Sequence, residues 1–112
     1  PDYRPAIKPL FNSIFLNSGQ TCTALSRLIV PKARLTEVEK LLLDHVKDYP
    51  VGDPFDPKVL IGPMASRQQF ETVKSYIELG VKEGARLLAG SIPEEPGAHE
   101  KGWFIQPTIF TR

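Results

Sequence analysis

The sequence predicts an α/β fold in which helices pack on a small, partly parallel sheet. In three segments apolar residues recur every three or four positions, which is the spacing of one buried helix face. Three shorter segments are rich in apolar residues and lie next to glycine or proline, as strands often do. The predicted order is helix, strand, helix, helix, strand, strand, and this order favours at least some parallel pairing.

The first helical segment contains two prolines, Pro5 and Pro9. Proline suits the first turn of a helix but not its interior, so we predict a helix from about Pro9 onward. Gly19 provides a stop signal after it. Cys22 is therefore expected just beyond the end of the helix.

A strand and a second helix follow. Leu25–Val30 is short, partly β-branched and closed by Pro31, which is typical of a strand. Apolar residues then recur with helical spacing from Leu35 to Val46. Thr36 and Glu39 have the spacing of a capping box at the start of this helix.

Residues 48–64 are rich in proline and glycine and predict a long ordered loop, which in a compact domain is often functional. A third helix follows, with an inner face that runs from Phe70 to Val81. Ser66 and Gln69 form a possible capping box at its start. Gly84 offers a stop at its end.

The last third of the chain predicts two more strands. Arg86–Ala89 is the first, and the extended segment Trp103–Phe110 is the second. Pro107 limits how much of the second can pair within a sheet. Between them, Ser91–Gly102 is polar and expected to be exposed.

The composition is that of one globular domain. Hydrophobic residues make up 41% and charged residues 24% of 112, and the net charge is only +1, so we expect no nucleic-acid partner. The sequence has no apolar run long enough to span a bilayer and no recognisable signal peptide, so we expect no membrane partner. One cysteine cannot form an internal disulfide, which favours a reducing compartment, and we expect a cytoplasmic location.

The single cysteine, Cys22, lies in the small, polar, glycine-containing stretch NSGQTCTA. A structural cysteine usually has aliphatic neighbours. A thiolate on a loop could instead attack a carbonyl carbon, with a nearby backbone N–H stabilising the oxyanion. Spacing alone leaves both interpretations open, because the histidines, His45 and His99, form no nucleophile–base pattern. They are also too far from the cysteine in sequence to suggest a zinc site, so we expect no metal.

The residues around the cysteine also resemble those of a known family. FLNSGQTCTALSRLIVP, at residues 15–31, resembles the catalytic-cysteine motif of the NAD(P)-dependent aldehyde dehydrogenase superfamily. The resemblance continues in the same order and spacing through residues 51–91 and through GWFIQPTIF at residues 102–110. It implies that residues 1–112 are a partial, cysteine-bearing catalytic domain and that the dinucleotide-binding domain is not in this chain.

The resemblance also implies a role for individual residues. Cys22 would be the nucleophile that forms a thiohemiacetal and then a thioester, with NAD or NADP as the hydride acceptor. Thr21 and Thr23 would line the substrate tunnel, although their hydroxyls suit local backbone hydrogen bonds equally well. Gln69 would contact the cofactor ribose, while the capping box with Ser66 is the stronger alternative.

In this family the general-base glutamate and the oxyanion asparagine precede the cysteine segment. We therefore expect the fragment alone to be inactive and to need the remainder of the enzyme chain, an aldehyde substrate and, when complete, a homo-oligomer. Two alternatives stay open: an acylating relative that uses coenzyme A or forms an acyl phosphate, and a non-catalytic truncated module with a structural or partner role. Thiol-dependent ester hydrolysis is a further possible side activity.

Overall fold

The structure, a computed structural model, describes residues 1–96 and 101–112. It contains three α-helices and two strands: α1 (Arg4–Phe15), α2 (Leu35–Val46), α3 (Arg67–Lys82), β1 (Arg86–Ala89) and β2 (Ile109–Thr111). Two short 3-10 turns, Leu16–Gly19 and Lys32–Arg34, follow α1 and precede α2. In the described part of the chain, no helix is long and apolar enough to cross a bilayer.

The sheet of the described residues consists of β1 and β2. The strands pair antiparallel, with Arg86 opposite Thr111 and Leu87 opposite Phe110. The α/β layering is confirmed, but among the described residues parallel pairing is limited to one isolated bridge, Val51 with Ile61. A parallel neighbour requires a crossover connection, usually a helix, and the described residues between β1 and β2 contain none.

The first helix begins earlier than the sequence predicts, at Arg4 rather than near Pro9. Pro5 lies in the first turn, where a backbone N–H has no partner in the helix anyway. Pro9 lies inside the helix and removes one hydrogen bond. The buried face offsets this loss, since Ile7 and Phe11 are each only 1% exposed.

The second helix is confirmed, but its predicted capping box is wrong. Arg34 occupies the N-cap position and makes no side-chain capping hydrogen bond, so Thr36 already lies within the helix. The preceding 3-10 turn continues directly into α2 and replaces the side-chain cap. Glu39 turns instead toward the sheet, where it is 6% exposed.

The third helix has one half of its predicted capping box, the Ser66 cap, while no bond from the Gln69 side chain to the Ser66 N–H occurs among the described residues. The backbone N–H of Gln69 donates to Ser66 Oγ at 3.1 Å, and the helix ends just before Gly84, whose φ is +86°. Phe70 is fully buried under this helix, whereas Val81 is exposed and does not belong to the inner face. Glycine is favoured at the stop because its conformation is left-handed.

The apolar core has two parts. The larger lies between α1 and α2 and includes Phe11, whose ring packs edge-on against Tyr49 at 5.4 Å between centroids. The smaller lies under α3 around Phe70, whose ring is 5.4 Å from that of Trp103. Of the predicted strand Trp103–Phe110, only the end beyond Pro107 joins the sheet, as β2, while Trp103 forms an isolated antiparallel bridge with Met64.

The segment Leu25–Val30 is not a strand, contrary to the sequence prediction. It runs without sheet pairing, and Ile29 is 94% exposed. The β-branched residues favour a strand only where a neighbouring strand supplies the ladder and packs the side chains. Among residues 1–96 and 101–112 no strand lies beside this segment.

Candidate active site

The segment that leads to Cys22 has an unusual backbone. Asn17, Ser18 and Gly19 follow α1 with φ values of 52°, 58° and 76°, which are all left-handed. For asparagine and serine such a conformation costs on the order of 1–3 kcal/mol each and persists only where the surroundings impose it. The helix therefore ends abruptly, and the cysteine segment starts from a constrained bend.

Cys22 occupies the centre of a tight turn. The N–H of Ala24 donates to the carbonyl of Thr21 at 3.0 Å, so Cys22 and Thr23 are the two central residues of the turn. Both are exposed, and the thiol is free. The exposed thiol agrees with a nucleophile and disagrees with an inert cysteine buried in a core.

The two threonines beside the cysteine differ in their contacts. The hydroxyl of Thr21 donates to the carbonyl of Leu16 at 3.2 Å, which is the local backbone bond expected as the alternative to substrate contact. Thr23 is exposed on the turn. Substrate contact by either residue stays a prediction.

Two side chains that the sequence pattern does not mark as functional hold this turn in place. Ser18 Oγ donates to the carbonyl of Gly62 at 2.8 Å. Gln20 Oε1 accepts from the N–H of Ala65 at 2.9 Å. Both partners lie in the long loop and its exit toward α3, so the loop supports the cysteine segment. The only sequence signal for these bonds is the run of polar side chains just before the cysteine.

Gln69 lies in the first turn of α3 and is half-buried. It lines an open groove of ≈ 690 Å³ together with Ser18, Gly19 and Ala24, which flank the cysteine turn. Cys22 itself is not among the described residues that line this groove. The structure thus brings the predicted cofactor contact and the cysteine segment to the same groove, while the Gln69 backbone also serves the helix cap.

The described residues supply no base for the thiol. No hydrogen bond joins Cys22 to a histidine or carboxylate in the ranges that the structure describes. His45 Nδ1 lies 2.9 Å from the carbonyl of Leu41, one turn back on α2, so its ring serves a local contact. His99 lies outside the described residues. No cluster of three or more metal-ligating side chains occurs in the described ranges.

An α/β chain with an exposed cysteine on a hydrogen-bonded turn, beside an open and largely apolar groove, has the features of an enzyme domain. The model of the aldehyde dehydrogenase family matches residues 1–112. The chain therefore belongs to the aldehyde dehydrogenase family, and the predicted resemblance is confirmed.

Individual relatives agree with this assignment. The chain is 44% identical over 110 residues to 3-succinoylsemialdehyde-pyridine dehydrogenase of Pseudomonas sp, covering 98% of this chain and 23% of that protein. It is 40% identical over 106 residues to retinaldehyde dehydrogenase 3 of Homo sapiens, covering 95% of this chain and 20% of that protein. The chain thus spans less than a quarter of the length of these two relatives.

Solved structures share the fold. A mutant of aldehyde dehydrogenase C from Pseudomonas syringae, in complex with NAD⁺ and octanal, superposes with a TM-score of 0.88 at 38% identity. An aldehyde dehydrogenase of Mycobacterium tuberculosis, in complex with NAD⁺, gives 0.87 at 38% identity. Each comparison covers 97% of this chain and 22% of the solved chain.

Proposed function

We propose that the complete polypeptide containing residues 1–112 oxidises an aldehyde to a carboxylic acid with NAD⁺ or NADP⁺, and that Cys22 is its nucleophile. The observation that carries this proposal is the exposed Cys22 at the centre of the Thr21–Ala24 turn, in a chain whose whole length matches the family. Most of the polypeptide of such an enzyme lies outside the matched region, since the chain covers only 23% of a relative.

In the proposed reaction the Cys22 thiolate attacks the carbonyl carbon of the aldehyde. A C–S bond forms, and the carbonyl π electrons move to oxygen to give a thiohemiacetal oxyanion. The backbone N–H of Cys22 is one donor for that oxyanion, where a pre-placed dipole stabilises the transition state most. Loss of hydride from the carbon leaves a thioester, and water then releases the acid and restores the thiol.

The described residues fit one part of a cofactor site. The Gln69 carboxamide has both donors and an acceptor for a ribose hydroxyl, and the residue lines the groove beside the cysteine segment. When bound, NAD(P)⁺ supplies the hydride acceptor. Thr21 and Thr23 are proposed to border the aldehyde on either side of the nucleophile.

The rest of the machinery is assigned to the remainder of the polypeptide. The family resemblance leads us to expect the general-base glutamate, the oxyanion asparagine and the dinucleotide-binding domain there, and the described part of this chain places no base on Cys22. Residues 1–112 alone are then inactive. Assembly into a homo-oligomer and a cytoplasmic location belong to the same proposal.

The test replaces Cys22 by serine and by alanine in the complete polypeptide. Both changes should abolish aldehyde-dependent reduction of the cofactor, because neither side chain forms a thiolate. Cofactor binding, measured by calorimetry, should stay close to that of the unaltered protein. Unchanged turnover in Cys22→Ala would sink the assignment.

The same assay addresses the two alternatives. Product analysis with coenzyme A or phosphate present shows whether the thioester is transferred to these acceptors instead of water. A complete polypeptide that binds no cofactor and turns over no aldehyde would support the non-catalytic module and contradict the proposal.

A further inference from the structure

The cysteine turn is connected to the start of α3 by a side-chain bridge. Gln20, two residues before Cys22, accepts from the N–H of Ala65 at 2.9 Å across 45 positions of sequence. Ala65 directly precedes Ser66, the N-cap residue of α3, and Gln69 stands in the first turn of that helix. The hydrogen bond from Ala65 to Gln20 therefore joins two segments: one carries Cys22, the proposed nucleophile, and the other carries Gln69, the proposed cofactor contact.

The carboxamide of Gln20 is used at both ends. While Oε1 accepts from Ala65, Nε2 donates to the carbonyl of Asn17 at 3.1 Å. The same carbonyl accepts the backbone N–H of Gln20 at 3.0 Å, and the Asn17 amide donates back to the carbonyl of Gln20 at 3.3 Å. One side chain thus holds the left-handed bend at Asn17 and joins it to a distant segment.

The chemistry of this position is specific to glutamine. The carboxamide is a neutral acceptor and a donor at the same reach. An ionised glutamate keeps the acceptor but has no donor, and methionine has the length without either strong group. Ser18 forms a second, parallel connection through its bond to the carbonyl of Gly62.

We infer that Gln20 is a positioning residue, which sets the cysteine turn relative to the start of α3 so that hydride transfer has the required geometry. The inference rests on the proposed function, because it concerns the same thiol and the same cofactor contact. Gln20 acts through the turn and through Ala65, and it takes no part in bond making.

Aldehyde oxidation and ester hydrolysis, two reactions that use the same thiol, should depend differently on this connection. Hydride transfer requires the carbon held on Cys22 to approach the cofactor closely, and a misplacement of about 1 Å can lower the rate about hundredfold. Hydrolysis of an activated ester needs the thiol and the oxyanion donor but no cofactor. Loosening the bond from Gln20 to Ala65 should therefore slow aldehyde oxidation and spare ester hydrolysis.

The experiment uses Gln20→Met and Gln20→Glu in the complete polypeptide. The matched control is Gln68→Met, which makes the same change at an exposed position in the first turn of α3. Three quantities are measured: kcat for aldehyde oxidation, the primary isotope effect with a C1-deuterated aldehyde, and the hydrolysis rate of nitrophenyl acetate.

We expect Gln20→Met to lower kcat about tenfold to hundredfold and to raise the isotope effect, because hydride transfer becomes rate-limiting. Ester hydrolysis should stay close to that of the unaltered protein. The kcat of Gln20→Glu should lie between that of Gln20→Met and that of the unaltered protein, since glutamate keeps the acceptor for Ala65. Gln68→Met should leave all three quantities unchanged.

An unchanged kcat in Gln20→Met overturns the inference. A parallel fall of both activities also overturns it, because Gln20 would then only maintain the turn itself. If Gln20→Met does not fold, Ser18→Ala provides the test, since cutting the bond to Gly62 should give the same pattern with a smaller amplitude. Failure of the proposed function is recognised separately, by absent oxidation in the unaltered protein or by oxidation that survives Cys22→Ala.

Discussion

A buried carboxylate joins α2 to the sheet, and removing its hydrogen-bond donor should loosen both elements. Glu39 is 6% exposed and accepts from the hydroxyl of Thr111 at 2.6 Å. Its second partner is Arg86, 3.6 Å away, whose side chain is 58% exposed. The perturbation is Thr111→Val, which keeps the shape and the β-branch of the side chain and replaces the hydroxyl by a methyl group.

The magnitude follows from these contacts. A hydrogen bond to a charged group contributes about 1.5–3 kcal/mol, and the buried oxygen of Glu39 loses its donor when Thr111 becomes valine. The pair with Arg86 is long and largely solvated, so Arg86→Met should cost below about 1 kcal/mol. We therefore expect about 2 kcal/mol for Thr111→Val and a clearly smaller effect for the arginine variant.

The assay is amide hydrogen exchange by mass spectrometry on the complete polypeptide. Peptides from α2 and β2 should exchange about tenfold to hundredfold faster in Thr111→Val, because each 1.4 kcal/mol is a factor of ten. Peptides from the N-terminal half of α3 serve as the internal control. Adding Glu39→Gln to the valine variant should restore part of the protection, since a neutral amide is less costly to leave unpaired than a carboxylate.

Two results would refute this reasoning. Equal exchange of α2 and β2 in Thr111→Val and in the unaltered protein would show that the bond contributes nothing measurable. A larger effect of Arg86→Met would show that the ion pair, rather than the threonine hydroxyl, stabilises Glu39.

Two further predictions concern the core. Burial and the charge of Asp48 raise the pKa of Tyr49 above its ordinary value of 10.0, so the stability that the neutral phenol contributes is fully present below that pH and is lost as pH rises through the raised pKa. Tyr49→Phe removes the 2.6 Å bond to Asn12 and should therefore lower the free energy of unfolding by about 1 kcal/mol at neutral pH and by less in alkali. Urea unfolding midpoints of both proteins, measured across this pH range, test the prediction. A difference between the two proteins that does not change with pH would contradict it. A Cβ at Gly80 would lie 2.8 Å from the ring of Phe110, so Gly80→Ala should cost about 1–3 kcal/mol, and the smaller Phe110→Leu should relieve it; the thermal midpoints of the single and double variants test this, and an additive loss would refute it.

The elements that the sequence predicts well are those set by local interactions. The cap of α3 needs only a serine, Ser66, whose Oγ accepts a hydrogen bond from the backbone N–H three residues later. The stop at Gly84 needs only a glycine in the left-handed conformation. The strand at Leu25–Val30 fails for the opposite reason. Its residues favour a strand, but pairing depends on a neighbour that local pattern does not specify.

The capping box at Thr36 and Glu39 fails in a related way. The spacing is correct, yet Glu39 is buried against Thr111, 72 positions further along the chain. A buried carboxylate needs a donor, and that long-range requirement outweighs a local cap at the helix start. The same two residues are therefore compatible with a capping box and with a buried contact to the sheet, and only the tertiary structure decides between them.

A nucleophile on a loop has two conflicting requirements, access for the substrate and a fixed position. For Cys22, the proposed nucleophile, the turn agrees with the first within residues 1–112, because both of its central residues are exposed. The left-handed bend at Asn17 and Ser18 would not by itself meet the second, since strained backbone relaxes unless its surroundings prevent it. The bonds from Ser18 and Gln20 to residues 44 and 45 positions away supply that restraint. In the described residues the thiol is thus exposed through local structure, while its turn is restrained by distant contacts that the local sequence pattern does not specify.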